Sequence, residues 1–326
     1  MSDQADGQPT RIAIACQGGG SHTAFTCGVL RTLLAEWDDR HELVGISGAS
    51  GGAFNALAVW YGLVTEGPGK AREIVGRIWE DLAADGPGDR WLNDWVRTVT
   101  RMESAGFAIP SVSPYQVPGR EAGKQRIRTV LERHIDFDAI PDLCGNAPEL
   151  VVGAVDVNAG VFETFTNENV TVEAVLASAA VPNLFEAVEI NDHVHWDGLF
   201  SQNPPVSDLM YRPPEQKPEE LWVIQVNPQT FEGEPSTTDV IADRRNELSG
   251  NISLNQELRF VEQVNEWIDA GRLPAGEFVR TDIRRIGMGK RYHCSTKVDR
   301  DPEFLDELRD LGARRAREFL DARGGS

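Results

Sequence analysis

The sequence predicts an α/β protein, a three-layer α/β/α sandwich around a mainly parallel central sheet. Three observations carry this prediction. Arg11–Cys16 and Leu43–Ile46 each read as a short strand that enters a glycine-rich turn and leaves it through an apolar, helix-compatible stretch. A third apolar run, Leu221–Asn227, is stopped by Pro228 as a buried parallel strand is.

The first turn is Gln17-Gly18-Gly19-Gly20-Ser21-His22, followed by the apolar-periodic run Ala24–Leu34. Consecutive glycines between strand and helix leave backbone N–H groups bare, which makes an anion site and, in an acyl-transfer enzyme, an oxyanion hole. The rival reading is a dinucleotide loop, but G-x-G-x-x-G fails at Thr23, and the nearest acidic candidate, Glu42, opens a strand. A purely structural glycine turn is the plainer alternative.

The second turn, Gly45–Asn55, contains Gly48-Ala49-Ser50-Gly51-Gly52, a G-x-S-x-G pattern. Its glycines permit the sharp strand-to-helix turn that lifts a serine hydroxyl out of a sheet, and the helix expected over Ala53–Leu63 turns its positive end toward Ser50. Ser47 competes, but its frame lacks the last glycine. Ser50 is therefore the favoured nucleophile.

The middle of the chain holds Trp79, Trp91, Trp95 and Phe107, then the proline-rich loop Pro110–Gly119. As a group these predict a cap over an acyl-binding groove or an interfacial patch, while core packing is the plainer reading for any single tryptophan. Lys124–Ile135 presents Ile127, Val130, Leu131, His134 and Ile135 on one face of a structural helix, and a strand is expected near Leu150.

Alternation from Val188 to Trp196 predicts a strand that ends at Asp197-Gly198, placing a carboxylate beside a turn. An Asp-Gly turn residue is the bland reading, and a base for a nearby serine is the functional one. His193, His195 and Asp197 share one strand face, and H-x-H-x-D begins some metal sites. No histidine follows Asp197 directly and only His293 remains downstream, so two solvent-facing histidines and no metal are expected.

Further on, Ile241–Ile268 reads as a long helix with Leu248, Ile252, Leu258, Val261 and Val264 on its apolar side. Phe278–Ile286 reads as an added strand and Phe304–Leu320 as a final amphipathic helix. The organisation expected is a polar tail over 1–10, a catalytic domain over 11–230 with a helical, cap-like insert at about 70–145, and a helical extension over 231–326 packed on the same domain.

Gly18-Gly19-Gly20, Gly48–Gly52 and Asp197-Gly198, in that order, together resemble the patatin-like phospholipase family, over about residues 11–230. Ala177–Phe185 resembles that family's approach to its aspartate. The chain departs from the family at His22, where arginine is usual, at Thr23, where glycine is usual, and at Leu199, where glycine or alanine is usual. The resemblance implies a patatin-like sandwich with a Ser-Asp dyad and no histidine, Ser50 attacking and Asp197 serving as base. It implies an oxyanion hole built from Gly18, Gly19, Gly20 and Ser21, supported by His22, Gly48, Gly51, Gly52 and Gly198, with no cofactor and no metal. His22 is expected to make the charge at the hole depend on pH. The implied substrates are carboxylic esters of (lyso)phospholipids or related acyl esters. A polyhydroxyalkanoate depolymerase acting at a granule surface stands as the alternative, and an inactive patatin-fold binding protein as the alternative of another class.

Composition narrows the partners. The chain has 326 residues, 40% of them hydrophobic, and a formal charge of −19, which disfavours nucleic acid and anionic lipid surfaces. It has five lysines against 27 arginines and 51 acidic residues, the surface expected of a halophilic protein, in which molar salt shortens the Debye length to about 3 Å. Cys16, Cys27, Cys144 and Cys294 show no paired spacing, and Met1–Thr10 lacks the basic and apolar segments of a signal peptide, so a cytoplasmic protein with reduced thiols is expected. No stretch approaches 18 uncharged apolar residues, so no spanning helix is expected.

Overall fold

The computed structural model describes residues 8–105, 113–116, 120–182, 184–200, 202–274 and 276–324. Residues 1–7 of the expected tail, Phe107, most of the Pro110–Gly119 loop, Asn183 and Ser201 lie outside the described residues.

Among the described residues, the sheet has eight strands: β1 (Thr10–Cys16), β2 (His41–Ala49), β3 (Glu149–Asp156), β4 (Val161–Thr166), β5 (Val188–Ile190), β6 (His193–Asp197), β7 (Glu220–Gln225) and β8 (Asp282–Gly287). Its order is β5-β6-β3-β2-β1-β7-β8, with β4 also paired to β3. The run from β3 to β8 is parallel, and β4, β5 and β6 form the antiparallel part. Among the described residues, ten helices connect and cover it: α1 (Ala24–Ala35), α2 (Gly51–Thr65), α3 (Pro68–Leu82), α4 (Gly86–Ser104), α5 (Arg120–His134), α6 (Ile140–Leu143), α7 (Val172–Ser178), α8 (Ser207–Met210), α9 (Thr238–Asp269) and α10 (Pro302–Gly324).

Strand alternation sorts the core into two layers. Ile12, Ile14 and Cys16 of β1 and Trp222 and Ile224 of β7 join a large apolar cluster with α1, α2, α3, α5, α7 and α10. Ala13, Ala15, Leu221 and Val223 face the other way, where Leu254, Leu258 and Val261 of α9 cover them at helical spacing. This is the three-layer sandwich the sequence predicts.

Three local expectations need correction. The single strand expected from Val188 to Trp196 is a hairpin, because Asn191 and Asp192 both adopt positive φ, 52° and 65°, and turn the chain between β5 and β6. Helix α9 turns Leu248 and Ile252 outward, and its inward face over this stretch is polar, with Asp243, Glu247 and Asn251 buried. Hydrophobic periodicity therefore misassigns its N-terminal half. Trp79 does not belong to a cap: it is buried in the core and donates its indole N–H to Asn55 Oδ1 at 2.9 Å. Trp91 and Trp95, 67% and 57% exposed, stack on each other on the outer face of α4.

The C-terminal segment is integral to the fold, since β8 extends the sheet and α10 lies along α1. The two helices meet where Gly28 faces Arg309 and Gly312 faces Phe25. A Cβ at Gly28 would stand 2.0 Å from the Arg309 carbonyl oxygen, and one at Gly312 would stand 2.1 Å from that of Phe25. Gly28→Ala or Gly312→Ala is therefore expected to destabilise the protein by about 1–3 kcal/mol, read as a lower urea midpoint at unchanged m.

Candidate active site

Strand β2 ends at Ala49 and α2 begins at Gly51, so Ser50 occupies the turn between them, at φ 53° and ψ −132°. Glycine makes this elbow possible. A Cβ at Gly48 would lie 2.4 Å from the Gly52 carbonyl, and one at Gly52 would lie 2.2 Å from the Cys16 oxygen. Ser50 is 7% exposed and its side chain makes no capping bond to α2, so the hydroxyl is not spent on its own helix. Its amide donates to Ser178 Oγ at 2.8 Å, and the Ser178 hydroxyl donates to the Gly153 carbonyl at 2.7 Å.

Asp197 reaches the elbow through strand β3. Strand β4 pairs along β3 from Val151 to Asp156, so β2 and β6 share the opposite edge. Parallel β2 runs up that edge until Ala49 stands opposite Gly153, and antiparallel β6 runs down it until Asp197 stands opposite Ala154. The two strand ends meet head to head on consecutive residues of β3. Gly198 fits the junction, where a Cβ would lie 3.1 Å from Ala49 Cβ and 2.6 Å from the Gly153 oxygen.

The Asp197 side chain is 1% exposed. Its Oδ1 accepts the Leu199 amide at 2.7 Å, and its own amide donates to the Ala180 carbonyl at 3.0 Å. Burial pushes the carboxyl up to about 7, against the Leu199 amide, the Ser50 hydroxyl and the Lys297 ammonium, each of which lowers it. The Ser50 hydroxyl thus acts on this carboxyl, while buried Oδ2 has no partner in full hydrogen-bond geometry among the described residues.

The glycine loop runs against the elbow: a Cβ on Gly18 would stand 3.0 Å from Ser50 Cβ. The Gly18 amide does not face an open hole. It donates to Asn203 Oδ1 at 2.6 Å, which leaves Gly19, Gly20 and Ser21, whose amides donate to no described residue. The loop is held from several sides. Gln17 Oε1 accepts the amides of Val226 and Asn227, and Asn55 Nδ2 donates to the Thr23 and Gly51 carbonyls. Thr23, where a glycine was expected by resemblance, returns its hydroxyl to the Gly20 carbonyl at 2.6 Å.

His22 differs from expectation. It is buried, its Nε2 lies 2.7 Å from Thr296 Oγ1, and its ring packs on Tyr292 and Phe304. Burial, helped by Lys297, holds its pKa well below the usual imidazole range, so it stays neutral and gives the glycine loop no pH-dependent charge. A nearby cation is Lys297, half-buried, with Nζ donating to Asn227 Oδ1 at 2.8 Å and to Asn246 Oδ1. Burial lowers its ammonium to about 8. Its backbone carbonyl abuts Gly20, where a Cβ would stand 2.2 Å away.

Sequence reasoning missed Ser178, Asn203, Asn55 and Lys297. Ser178 lies inside the Ala177–Phe185 stretch and Asn55 closes the Gly45–Asn55 turn, while Asn203 and Lys297 carry no local signature. Chemically, the cluster joins an unspent hydroxyl, a carboxyl that exchanges its proton near neutrality, and a run of unspent amides.

A family model described as patatin-like phospholipase matches residues 14–210, more than half of the chain. No curated protein matches it in sequence. Among solved structures, VipD from Legionella pneumophila is similar at 12% identity and a TM-score of 0.44, over 97% of this chain and 67% of that one. ExoU in its complex with SpcU, from the type III secretion system of Pseudomonas aeruginosa, is similar at 12% identity and a TM-score of 0.36, over 98% of this chain and 52% of that one. The chain thus spans about half the length of ExoU. With the ordered glycine loop, serine elbow and Asp-Gly strand end inside the matched region, the chain belongs to the patatin-like phospholipase family.

Proposed function

We propose that this protein is a serine ester hydrolase of lipid acyl groups, with Ser50 as nucleophile and Asp197 as its base. The supporting observation is the head-to-head meeting of β2 and β6 on β3, which brings a hydroxyl to a carboxyl whose pKa lies near 7. Asp197 takes the Ser50 proton as the oxygen attacks the ester carbonyl. The Gly19 and Gly20 amides, with Ser21, hold the oxyanion, and the alcohol leaves with the proton from Asp197. Water, deprotonated by Asp197, then attacks the acyl-enzyme and releases the acid.

The substrate class follows from charge and surface. At −19 the protein is repelled by anionic membranes, so zwitterionic (lyso)phospholipid or neutral acyl esters are favoured. The same charge keeps a second reading, hydrolysis of polyhydroxyalkanoate at a granule surface. The exposed Trp91–Trp95 pair offers an apolar contact to either. The four free cysteines fit a reducing cytoplasm, and no helix among the described residues is long and apolar enough to cross a membrane. A halophilic source belongs to the same reading, with activity rising toward molar salt as its expected sign.

Release of p-nitrophenol from acyl esters tests the chemistry, and parallel assays on phosphatidylcholine vesicles and native polyester granules test the substrate. Wild-type protein inert on every ester at low and molar salt would leave a patatin-fold binding protein instead. Lys297 gives a finer test. Its ammonium lowers the Asp197 pKa, so Lys297→Met is expected to move the activity midpoint to higher pH, whereas Lys297→Arg keeps it near wild type. An unshifted profile in Lys297→Met would remove Lys297 from the electrostatics of the site.

A further inference from the structure

Two residues before Asp197, on the same face of β6, the chain builds a second polar cluster that the proposed hydrolysis does not use. One nitrogen of His195 and one carboxylate oxygen each of Asp156 and Glu163 lie within 4.8 Å of one another. The sequence predicts two solvent-facing histidines and no metal here; the structure instead buries His195, which is 1% exposed, against a carboxylate of the neighbouring strand β4.

We propose that Asp156, Glu163 and His195, with His193 at the rim, bind a first-row divalent cation of the Zn²⁺ type. The donors come from three strands. Asp156 is on β3, directly opposite His195 on β6, and Glu163 is on β4. Asp156 is already oriented, because its Oδ1 accepts the Asn158 and Ala159 amides, each at 2.9 Å, and its Oδ2 is directed to His193 Nδ1 at 2.5 Å. Glu163 Oε2 lies 2.5 Å from His195 Nε2. Two features set the cluster apart from a surface pair of His–carboxylate contacts. His195 is buried, with Nε2 turned to Glu163, so the donors meet away from bulk water. Among the described residues, no Lys or Arg forms an ion pair with Asp156 or Glu163, so the imidazoles are the basic groups that face these carboxylates, and a divalent cation would serve as their counter-charge.

The donor chemistry fits. Imidazole with carboxylate suits Zn²⁺ and its neighbours, and bond lengths of about 2.0–2.2 Å place ligands of one ion no more than about 4.4 Å apart. Closure therefore asks for side-chain movements of less than about 1 Å. The other mixed cluster, Asp243, His293 and Cys294, fits poorly, since His293 Nδ1 is engaged by Ser295 and the Lys297 ammonium feels both Asp243 and Cys294. A cation at the first cluster would tie β6 to β3 and β4 just ahead of Asp197.

The test uses the full chain, stripped by chelator and titrated with Zn²⁺ in calorimetry, with Co²⁺ as a spectroscopic probe. One saturable site is expected, with Zn²⁺ raising Tm by roughly 3–5 °C at about a hundredfold excess over Kd. Glu163→Gln and His193→Ala are expected to weaken binding about 10- to 100-fold, and Co²⁺ should show a visible ligand-field band in wild type alone. Glu163 is partly exposed, so Glu163→Gln keeps the test open if a His195→Gln variant does not fold. Absence of saturable binding in wild type, or wild-type affinity retained in both Glu163→Gln and His193→Ala, would overturn the proposal. Because the readouts are affinity, Tm and spectrum, they do not depend on the esterase reading.

Discussion

Ser50→Ala is expected to lower kcat/KM on p-nitrophenyl esters by about 10⁴- to 10⁶-fold, with an unchanged far-UV spectrum. The size follows from the loss of the proposed covalent route, because loop amides that stabilise an oxyanion contribute little without a nucleophile to create it. Ser47→Ala separates site from scaffold. Ser47 is fully buried in β2 and donates its hydroxyl to the Pro205 carbonyl at 2.5 Å, so its loss is expected to cost about 1–2 kcal/mol of stability and leave turnover within a few-fold of wild type. Ser50→Gly adds a second axis. At φ 53° and ψ −132° a residue with a Cβ is strained by about 1–3 kcal/mol, and glycine relieves that strain. The same change that removes activity is therefore expected to raise the denaturation midpoint. If Ser50→Ala kept turnover and Ser47→Ala lost it, the nucleophile would be reassigned to Ser47.

The strand-turn-helix units around Gly18–Gly20 and Gly48–Gly52 are legible in sequence because each is local: apolar run, glycines and helix occupy about twenty consecutive residues. What gathers them is not local. Ser50 and Asp197 meet only because two strands of opposite direction share one edge of β3, and no spacing between positions 50 and 197 encodes that register. The supports show the same limit. Asn203 reaches Gly18 from 185 positions away, and Ser178 reaches Ser50 from 128. His22 reads as a charge at the hole when only the loop is visible. The Tyr292 and Phe304 rings that enclose it come from the far end of the chain and make it neutral. The periodicity of α9 fails for a related reason: where a helix crosses a polar site, its buried face is polar.

Asp197→Asn is expected to abolish turnover, by at least about 10⁴-fold, and to stabilise the protein at alkaline pH. Both effects come from one proton. In the fold the carboxyl ionises near 7, raised by burial, whereas in the unfolded chain it ionises near 3.9. Between about pH 4 and 7 the unfolded chain has released a proton that the folded protein still holds. Stability contributed by this group therefore falls as pH rises through that window, and the loss is complete above about 7. Asparagine has no proton to release, so the variant is expected to match wild type near pH 4 and to exceed it at pH 8 by up to about 4 kcal/mol, at 1.36 kcal/mol per pH unit. Activity runs the opposite way, since Ser50 can give its proton only to the ionised carboxylate, and wild-type kcat/KM is expected to rise with a midpoint near 7. Urea melts of both proteins at pH 4, 6 and 8, set beside the pH–rate profile, check the linkage. A wild-type profile flat through neutrality, or a stability difference that does not grow with pH, would mean that Asp197 is not the group that carries the proton.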